Sequence, residues 1–450
     1  MKRAMRGRLC HSHKPMPAKT SKLSGGNKKA LMRLVMNQDM AVFENKVAHH
    51  KLEEAFPATF RRVQWGMNFF TKTQLGLRHQ PSGNQVRSPD ANLPFAEYVA
   101  QTRVMLEQAH AGMNDAERCV EGNAPFESYP LGDFERGQGK PFKRGVLLTH
   151  GLSDSPYHMH HLAAFFQRNG FRVMAALLPG HGTQPGDLLN VSWKEWAKTV
   201  AYGVDRLFAE VEEIYLAGFS AGAALSVYHA SVDKRVRGLL LFSPALKITS
   251  RAKWANLHQL YSWMIPSAAW VSVMPDRDIY KYESFCKNAA AQMYALTQAL
   301  PKGAVDIPVF VAASEDDATV DSCATLRFMG RTKHPASRLV WYSIAKIERS
   351  KVEWVNSAIP ERRILSSAHT AVIMSPEDEH YGVEGEYKNC LHYHGSAEEL
   401  YVMCLKAKHD VGLGEVNERN LKQGLLRRLT FNPHYVEMEA SMLRFIKELG

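Results

Sequence analysis

The sequence lacks any apolar run that approaches the roughly 18 residues needed to cross a membrane as a helix. Its longest apolar stretches, such as Val146-Leu147-Leu148 and Leu239-Leu240-Leu241-Phe242, have the length of buried β-strands. Internal repeats are missing as well, and 45% hydrophobic, 22% charged and 10% aromatic residues are typical of a globular protein. These features exclude a transmembrane helix, a coiled coil, a collagen-like chain and a largely disordered chain.

Cysteine is scarce in this chain of 450 residues, and no Cys-x-x-Cys pair occurs. The six cysteines are scattered: Cys10, Cys119, Cys286, Cys323, Cys390 and Cys404. We therefore expect neither a disulfide scaffold nor a zinc site, and a reduced, cytoplasmic setting.

Acidic residues are absent from positions 1–33, which carry ten lysines and arginines. The net charge of +11 therefore resides almost entirely in this segment, and the rest of the chain is nearly neutral. No apolar core of a signal peptide follows the basic residues. A basic arm over residues 1–35 can contact RNA, DNA or anionic lipid, or can be solvated without a partner. We expect no specific nucleic-acid partner and allow a peripheral membrane contact.

The chain changes character at about residue 140. Residues 36–139 are expected to form an N-terminal helical extension, with a linker over 80–94 and a helix from Phe95 to about Arg118. Beyond residue 140, strand-like runs alternate with segments of helical period, up to a terminal helix within 433–449. The predicted strands cover residues 145–150, 171–178, 213–219, 236–244, 306–313 and 337–342. This alternation predicts a mostly parallel sheet with helices on both faces.

A G-x-S-x-G motif over 218–222 follows an apolar strand and precedes a helix of small residues. A serine on such a strand-to-helix turn needs small neighbours, so that the turn is tight and Oγ projects as a nucleophile. Ser220 is therefore the candidate nucleophile. The backbone N–H groups of Ala221 and of Leu152, which lies just after His150-Gly151, are candidate oxyanion donors. His181 lies before Ser220 in the chain and is interpreted as a structural loop residue.

Three segments together, over 150–156, 178–183 and 218–222, resemble the α/β-hydrolase superfamily, nearest to its monoacylglycerol-lipase and carboxylesterase-like branch. The resemblance covers residues from about 140 to 450 and implies the α/β-hydrolase fold with a triad in the order Ser, acid, His. The loop after the strand at 306–313 resembles the family's Gly-x-x-Asp-x-x-Val pattern, with Ser314 in place of glycine. Matched on Val320, the acid is Asp317, with Asp316 as the alternative.

The resemblance also implies a histidine beyond the last strand, and His369 fits. His380, His392 and His394 are the competitors, because residues 345–363 look inserted and lengthen the interval from Asp317. His158, His160 and His161 form a dense cluster, but without a matching carboxylate we interpret them as helix-surface residues rather than metal ligands. We expect no metal and no cofactor.

The expected activity is cleavage of a small-molecule or lipid ester through Ser220, Asp317 and His369. Residues 249–302 are expected to form an apolar cap over an acyl pocket. The residues expected to line this pocket are His150, Gly151, Phe219, Trp254 and Trp263. A thioesterase, amidase or peptidase with the same triad, and a non-catalytic binding module, are the alternatives.

Overall fold

The computed structural model describes residues 75–84, 88–132, 139–248 and 264–449. The basic arm, the first part of the expected extension and the pocket candidates Trp254 and Trp263 lie outside the described residues. Among the described residues, no helix is both long enough and apolar enough to span a membrane.

Eight strands form the central sheet in the order β1-β3-β2-β4-β5-β8-β9-β10. β1 pairs antiparallel with β3, and the other neighbours are parallel. The strands of this sheet are β1 (Phe126–Ser128), β2 (Phe142–Thr149), β3 (Phe171–Ala176), β4 (Val211–Phe219), β5 (Val236–Phe242), β8 (Val309–Ser314), β9 (Arg338–Ser343) and β10 (Val352–Asn356). Two small two-stranded sheets comprise β6 (Trp270–Ser272) with β7 (Phe285–Cys286), and β11 (Gly412–Gly414) with β12 (Leu426–Arg428).

Helices connect most of the parallel strands. The α-helices of the described residues are α1 (Phe95–His110), α2 (Ala116–Asn123), α3 (His160–Arg168), α4 (Trp193–Glu210), α5 (Ala221–Val232), α6 (Lys287–Ala299), α7 (Ser322–Met329), α8 (Glu398–Lys406), α9 (Glu418–Leu421) and α10 (Tyr435–Lys447). Short 3-10 helices cover Leu77–His79, Pro156–Met159, Pro185–Leu189, Pro266–Ala269, Pro360–Arg362, Ala371–Ile373 and Leu391–Tyr393.

Alternation along the strands divides the core into two layers. Leu147 on β2 and Leu216 on β4 face α4, α5, α6 and α7, whereas their neighbours Leu148 and Ala217 face α3 and α10. Because successive side chains of a strand point to opposite faces, strands that are apolar throughout require helices on both sides. The predicted α/β-hydrolase fold, with a mostly parallel sheet flanked by helices, is confirmed.

Three details differ from the sequence-based expectations. The inserted-looking stretch over 345–363 contains β10, a half-buried edge strand whose charged surroundings hid it. The single helix expected from Phe95 is two helices, because Gly112 adopts a positive φ of 82° between α1 and α2. β1 joins the sheet from the N-terminal side of residue 140, the expected start of the fold.

The expected cap is described only from Met264 onward. In this part α6 buries Ala289, Met293 and Leu296 in the same core layer as α4 and α5. This helix therefore covers the sheet face.

The expectation of reduced cysteines is wrong at Cys390 and Cys404. Cys390 and Cys404 form a disulfide that links the segment before the Leu391–Tyr393 turn to α8. The two residues are 14 positions apart and share no motif, so the spacing carried no signal for the bond. Cys119 and Cys286 are free and buried.

Candidate active site

Ser220 occupies the turn between β4 and α5 with a positive φ of 52°. Its backbone N–H donates to the carbonyl of Phe242 at the end of β5, at 2.9 Å. The flanking glycines leave no space for side chains: a Cβ on Gly218 would lie 2.4 Å from the backbone of Gly222. A Cβ on Gly222 would lie 2.0 Å from the carbonyl oxygen of Thr149. The turn is therefore strained and tight, as the motif predicts.

His369 lies in the loop after β10, and its Nε2 is 3.0 Å from the Ser220 hydroxyl. The His369 backbone is held by Ser243, whose hydroxyl donates to the His369 carbonyl at 2.9 Å. The ring of Phe219 packs against the imidazole at a centroid distance of 5.2 Å. The imidazole is thus buried, fixed from two sides and directed at the serine.

Asp317, in the loop after β8, accepts a 2.5 Å hydrogen bond from Nδ1 of His369 on its Oδ2. Its Oδ1 accepts the backbone N–H groups of Thr319 and Val320 at 2.8 and 3.0 Å. Burial alone raises the pKa of Asp317, but the nearby His369 and these hydrogen bonds outweigh it and hold the pKa below its usual value. An ionised Asp317 fixes the proton of His369 on Nδ1 and leaves the Nε2 lone pair facing Ser220.

The competing acid and histidines lie elsewhere. Asp316 pairs with Arg419 at 2.6 Å. His380 contacts Asp278 at 3.2 Å, and His394 lies 3.5 Å from a carboxylate oxygen of Glu398. The remaining competitor, His392, is desolvated, which lowers its pKa to about 4. The structure therefore brings together Ser220, His369 and Asp317, at the carboxyl ends of β4, β10 and β8.

Of the two candidate oxyanion donors, Ala221 directly follows this serine and Leu152 lies in the loop after β2. Ala221 is the first residue of α5, so its N–H is among the first-turn amides that have no partner within the helix. Leu152 follows Gly151, where a Cβ would lie 2.2 Å from the carboxylate of Asp154 and 2.9 Å from the ring of Phe219. This close packing sets the path of the loop that carries Leu152, called the oxyanion loop below after that candidate role.

The side chains of His150 and Phe219, two of the expected pocket residues, are fully buried. Nδ1 of His150 donates to the carbonyl of Gly151 at 2.8 Å, and Nε2 accepts the N–H of Leu178 at 3.0 Å. Desolvation and the nearby His181 hold the pKa of His150 well below its usual value. The neutral ring of His150 therefore links the oxyanion loop to the end of β3 through these two hydrogen bonds.

His181 is fully buried in the loop after β3, as expected of a structural residue. Its Nδ1 donates to the carbonyl of Pro179 at 3.1 Å, and desolvation lowers its pKa to about 4.

Beside the oxyanion loop lies a cavity of about 200 Å³, whose walls carry charges of both signs, including Asp154, Asp278 and Lys281. Ser220 and its two partners are not among the described residues that line it. This polar cavity is therefore distinct from the space in front of the serine.

The interpretation of the histidine cluster needs a correction. His158 is buried rather than on the helix surface, and His160 and His161 do have a matching carboxylate, Asp378. The carboxylate escaped the sequence pattern because it lies more than two hundred positions further along the chain.

Sequence reasoning also missed Glu415 and Arg428. Glu415 is fully buried and accepts the backbone N–H of His369 at 3.0 Å. Arg428 donates to the Glu415 carboxylate at 2.9 Å and to the Thr319 hydroxyl, beside Asp317, at 2.8 Å. No motif surrounds Glu415, and only the folded structure shows its contact with the histidine loop.

The sheet order, the strained serine turn and the Ser-His-Asp geometry are those of the α/β-hydrolase fold. Residues 140–345 match the family described as serine aminopeptidase, S33.

Two characterised relatives are similar to part of the chain. A thermostable monoacylglycerol lipase of Bacillus sp. (strain H-257) is 31% identical over 108 residues, which are 24% of this chain and 43% of the lipase. A carboxylesterase of Bacillus subtilis (strain 168) is 30% identical over 94 residues, 20% of this chain and 38% of the esterase. The chain thus matches less than half of the length of either relative.

Among solved structures, one of a metagenome-derived lipolytic enzyme has a TM-score of 0.40 and 21% identity, over 49% of this chain and 87% of that one. The monoacylglycerol lipase of Paleococcus ferrophilus has a TM-score of 0.36 and 20% identity, over 44% of this chain and 86% of the lipase.

Proposed function

We propose that this protein is a serine hydrolase that cleaves carboxylic esters, with Ser220 as nucleophile, His369 as general base and acid, and Asp317 as the orienting carboxylate. The observation that carries the proposal is the 3.0 Å contact between the Ser220 hydroxyl and Nε2 of His369. The similarity to a lipase and a carboxylesterase supports the same chemistry.

In the first half-reaction, Ser220 Oγ attacks the ester carbonyl carbon while Nε2 of His369 takes the hydroxyl proton. Negative charge develops on the carbonyl oxygen, where the N–H groups of Leu152 and Ala221 stabilise it. Asp317 stabilises the imidazolium that forms. The imidazolium then gives its proton to the leaving alkoxide, and the C–O bond breaks to leave an acyl group on Ser220.

In the second half-reaction, a water molecule takes the place of the alcohol. His369 removes its proton as the water oxygen attacks the acyl carbonyl, and the same two amides stabilise the oxyanion. The proton returns from His369 to Ser220 Oγ as the carboxylic acid departs, which restores the resting state.

For the substrate, we propose esters of medium to long acyl chains, such as monoglycerides. The names of the two relatives support this class. Acyl transfer to serine does not dictate the leaving group, so thioesters and amides belong in the same test.

The experiment is hydrolysis of p-nitrophenyl esters from two to sixteen carbons, beside a thioester, an aminoacyl p-nitroanilide and a monoglyceride. A fluorophosphonate probe reports the nucleophile independently. Wild type is compared with Ser220→Ala and His369→Ala, and with Ser231→Ala as a control on the exposed part of α5. We expect loss of about four orders of magnitude in kcat for the two triad variants and none for the control.

Turnover with a chain-length optimum would support the ester class, and preference for the anilide would move the assignment to peptidase. Absence of both turnover and labelling in wild type would overturn the proposal in favour of a non-catalytic binding module. Labelling that survives in Ser220→Ala would place the nucleophile elsewhere.

A further inference from the structure

His160 and His161, the first two residues of α3, converge on Asp378 in the loop after His369. Nε2 of His160 lies 3.3 Å, and Nε2 of His161 2.9 Å, from Oδ2 of Asp378. The three ligand atoms lie within 4.8 Å of one another. Two imidazole nitrogens and a carboxylate oxygen thus converge on one point from two separate segments of the chain.

The hydrogen bond of His160 fixes which of its nitrogens carries a proton. Its Nδ1 contacts the backbone carbonyl of Tyr157, which can only accept, so Nδ1 donates. In a neutral ring, the lone pair of Nε2 then points at the negative Oδ2 of Asp378. Two acceptors at 3.3 Å repel each other unless a positive charge lies between them. Metal-bound histidines commonly donate their second ring N–H to a backbone carbonyl, as this one does.

The carboxylate of Asp378 is held in place by the backbone that follows it. Its Oδ1 accepts the N–H groups of His380 and Tyr381 at 3.0 and 2.7 Å, which orients Oδ2 toward the two histidines. The Asp378 side chain is fully buried, whereas those of His160 and His161 are 37% and 22% exposed. The carboxylate is therefore pre-oriented on the protein side, and the side chains of the two histidines reach water.

We propose that His160, His161 and Asp378 bind a divalent transition-metal ion, with zinc as the best fit and water as the fourth ligand. Zinc takes nitrogen and carboxylate ligands at about 2.0–2.2 Å in tetrahedral geometry, which places ligand atoms about 3.3 Å apart. The distances of 3.3 and 2.9 Å to Oδ2 are close to this arrangement. The ion would link the start of α3 to the loop beyond His369. The start of α3 follows the oxyanion loop in the chain.

The test is calorimetric titration of Zn²⁺ into untagged, EDTA-stripped full-length protein, with Co²⁺ absorption as a second readout of tetrahedral coordination. We expect one equivalent bound per chain and a rise in melting temperature with Zn²⁺. His160→Gln and His161→Gln should each weaken binding about a hundredfold or more. His229→Gln is the matched control, because His229 pairs with Asp233 at 3.2 Å and no third ligand lies beside them among the described residues. Its Zn²⁺ affinity should equal that of wild type.

Melting temperatures measured without metal establish that each variant is folded. The proposal is overturned if wild type binds no stoichiometric Zn²⁺, or if both histidine variants bind it as tightly as wild type. Equal affinity for Mg²⁺ would also overturn it, because an oxygen-seeking ion does not require the imidazoles.

Discussion

The buried carboxylate of Glu415 holds the backbone of His369, whose N–H it accepts at 3.0 Å. Arg428 donates to Glu415 and also to Thr319, which neighbours Asp317 in the acid loop. The Glu415–Arg428 pair therefore connects the two loops that carry the proposed base and acid. Neither residue touches Ser220, so both act through the position of His369 and Asp317.

We predict that Glu415→Gln lowers kcat by up to about a hundredfold with little change in KM, because displacement of a proposed catalytic group affects the reaction more than substrate binding. The variant should also lose about 1–3 kcal/mol of unfolding free energy, since the guanidinium of Arg428, whose side chain is 21% exposed, loses its charged partner. Ester hydrolysis and urea unfolding measure the two effects.

The matched control is Glu415→Gln combined with Arg428→Met. This double variant should regain part of the stability, because no guanidinium is left without its carboxylate partner, while kcat stays low. A single variant with wild-type stability and wild-type kcat would remove Glu415 from the positioning role.

The adjacent acids Asp317 and Asp316 provide a second prediction. Asp317→Asn should lower kcat about 10⁴-fold, because the neutral amide no longer fixes the proton of His369 on Nδ1. Asp316→Asn should stay within a few-fold of wild type, since its carboxylate pairs with Arg419 and not with His369. The kcat of both variants on a short p-nitrophenyl ester decides which of the two aspartates is the triad acid. A larger loss of kcat in Asp316→Asn than in Asp317→Asn would assign that role to Asp316.

The serine turn could be predicted from the sequence because its determinants are adjacent. The strand, the two glycines and the small-residue helix around Ser220 are contiguous, and the short-range strain of the turn demands that pattern. The parallel sheet could be predicted for a similar reason, since continuous apolar strands require cover on both faces.

What the sequence did not reveal depends on contacts between distant segments. Glu415 is 46 residues from His369, and Asp378 is 217 residues from His161. A single acidic residue forms no recognisable sequence motif, so its role can be recognised only when the fold places it beside its partner. β10 was missed for another reason: its half-buried edge position does not demand an apolar run.

The tight contact of Gly222 provides a third prediction. In Gly222→Ala the new methyl group would lie 2.0 Å from the carbonyl oxygen of Thr149 and 2.6 Å from that of His150. Both are backbone atoms that cannot swing aside, so we expect a loss of about 3 kcal/mol or more and little fluorophosphonate labelling. Gly303→Ala is the control, because its methyl group would meet no atom within 4 Å. A folded Gly222→Ala protein with full labelling would contradict the strained-turn account.

Buried, neutral His181 predicts a loss of stability in mild acid. Its pKa falls from an ordinary 6.5 to about 4 in the folded state, because burial desolvates the ring. Between these values the unfolded chain binds a proton that the folded chain does not, so the free energy of unfolding decreases as the pH falls. This contribution to stability is fully present above about pH 6.5, and at most about 3 kcal/mol of it is lost by pH 4.

Urea unfolding at pH 7.5 and pH 5 measures this dependence. His181→Asn can keep a donor for the Pro179 carbonyl but carries no titrating group, so its stability should depend less on pH than that of wild type. Trp196→Phe is the matched control: it loses packing and a 3.0 Å hydrogen bond to the same carbonyl, without removing a titrating group. It should be destabilised at both pH values by a similar amount. If His181→Asn keeps the full wild-type pH dependence, the acid sensitivity arises at other buried groups.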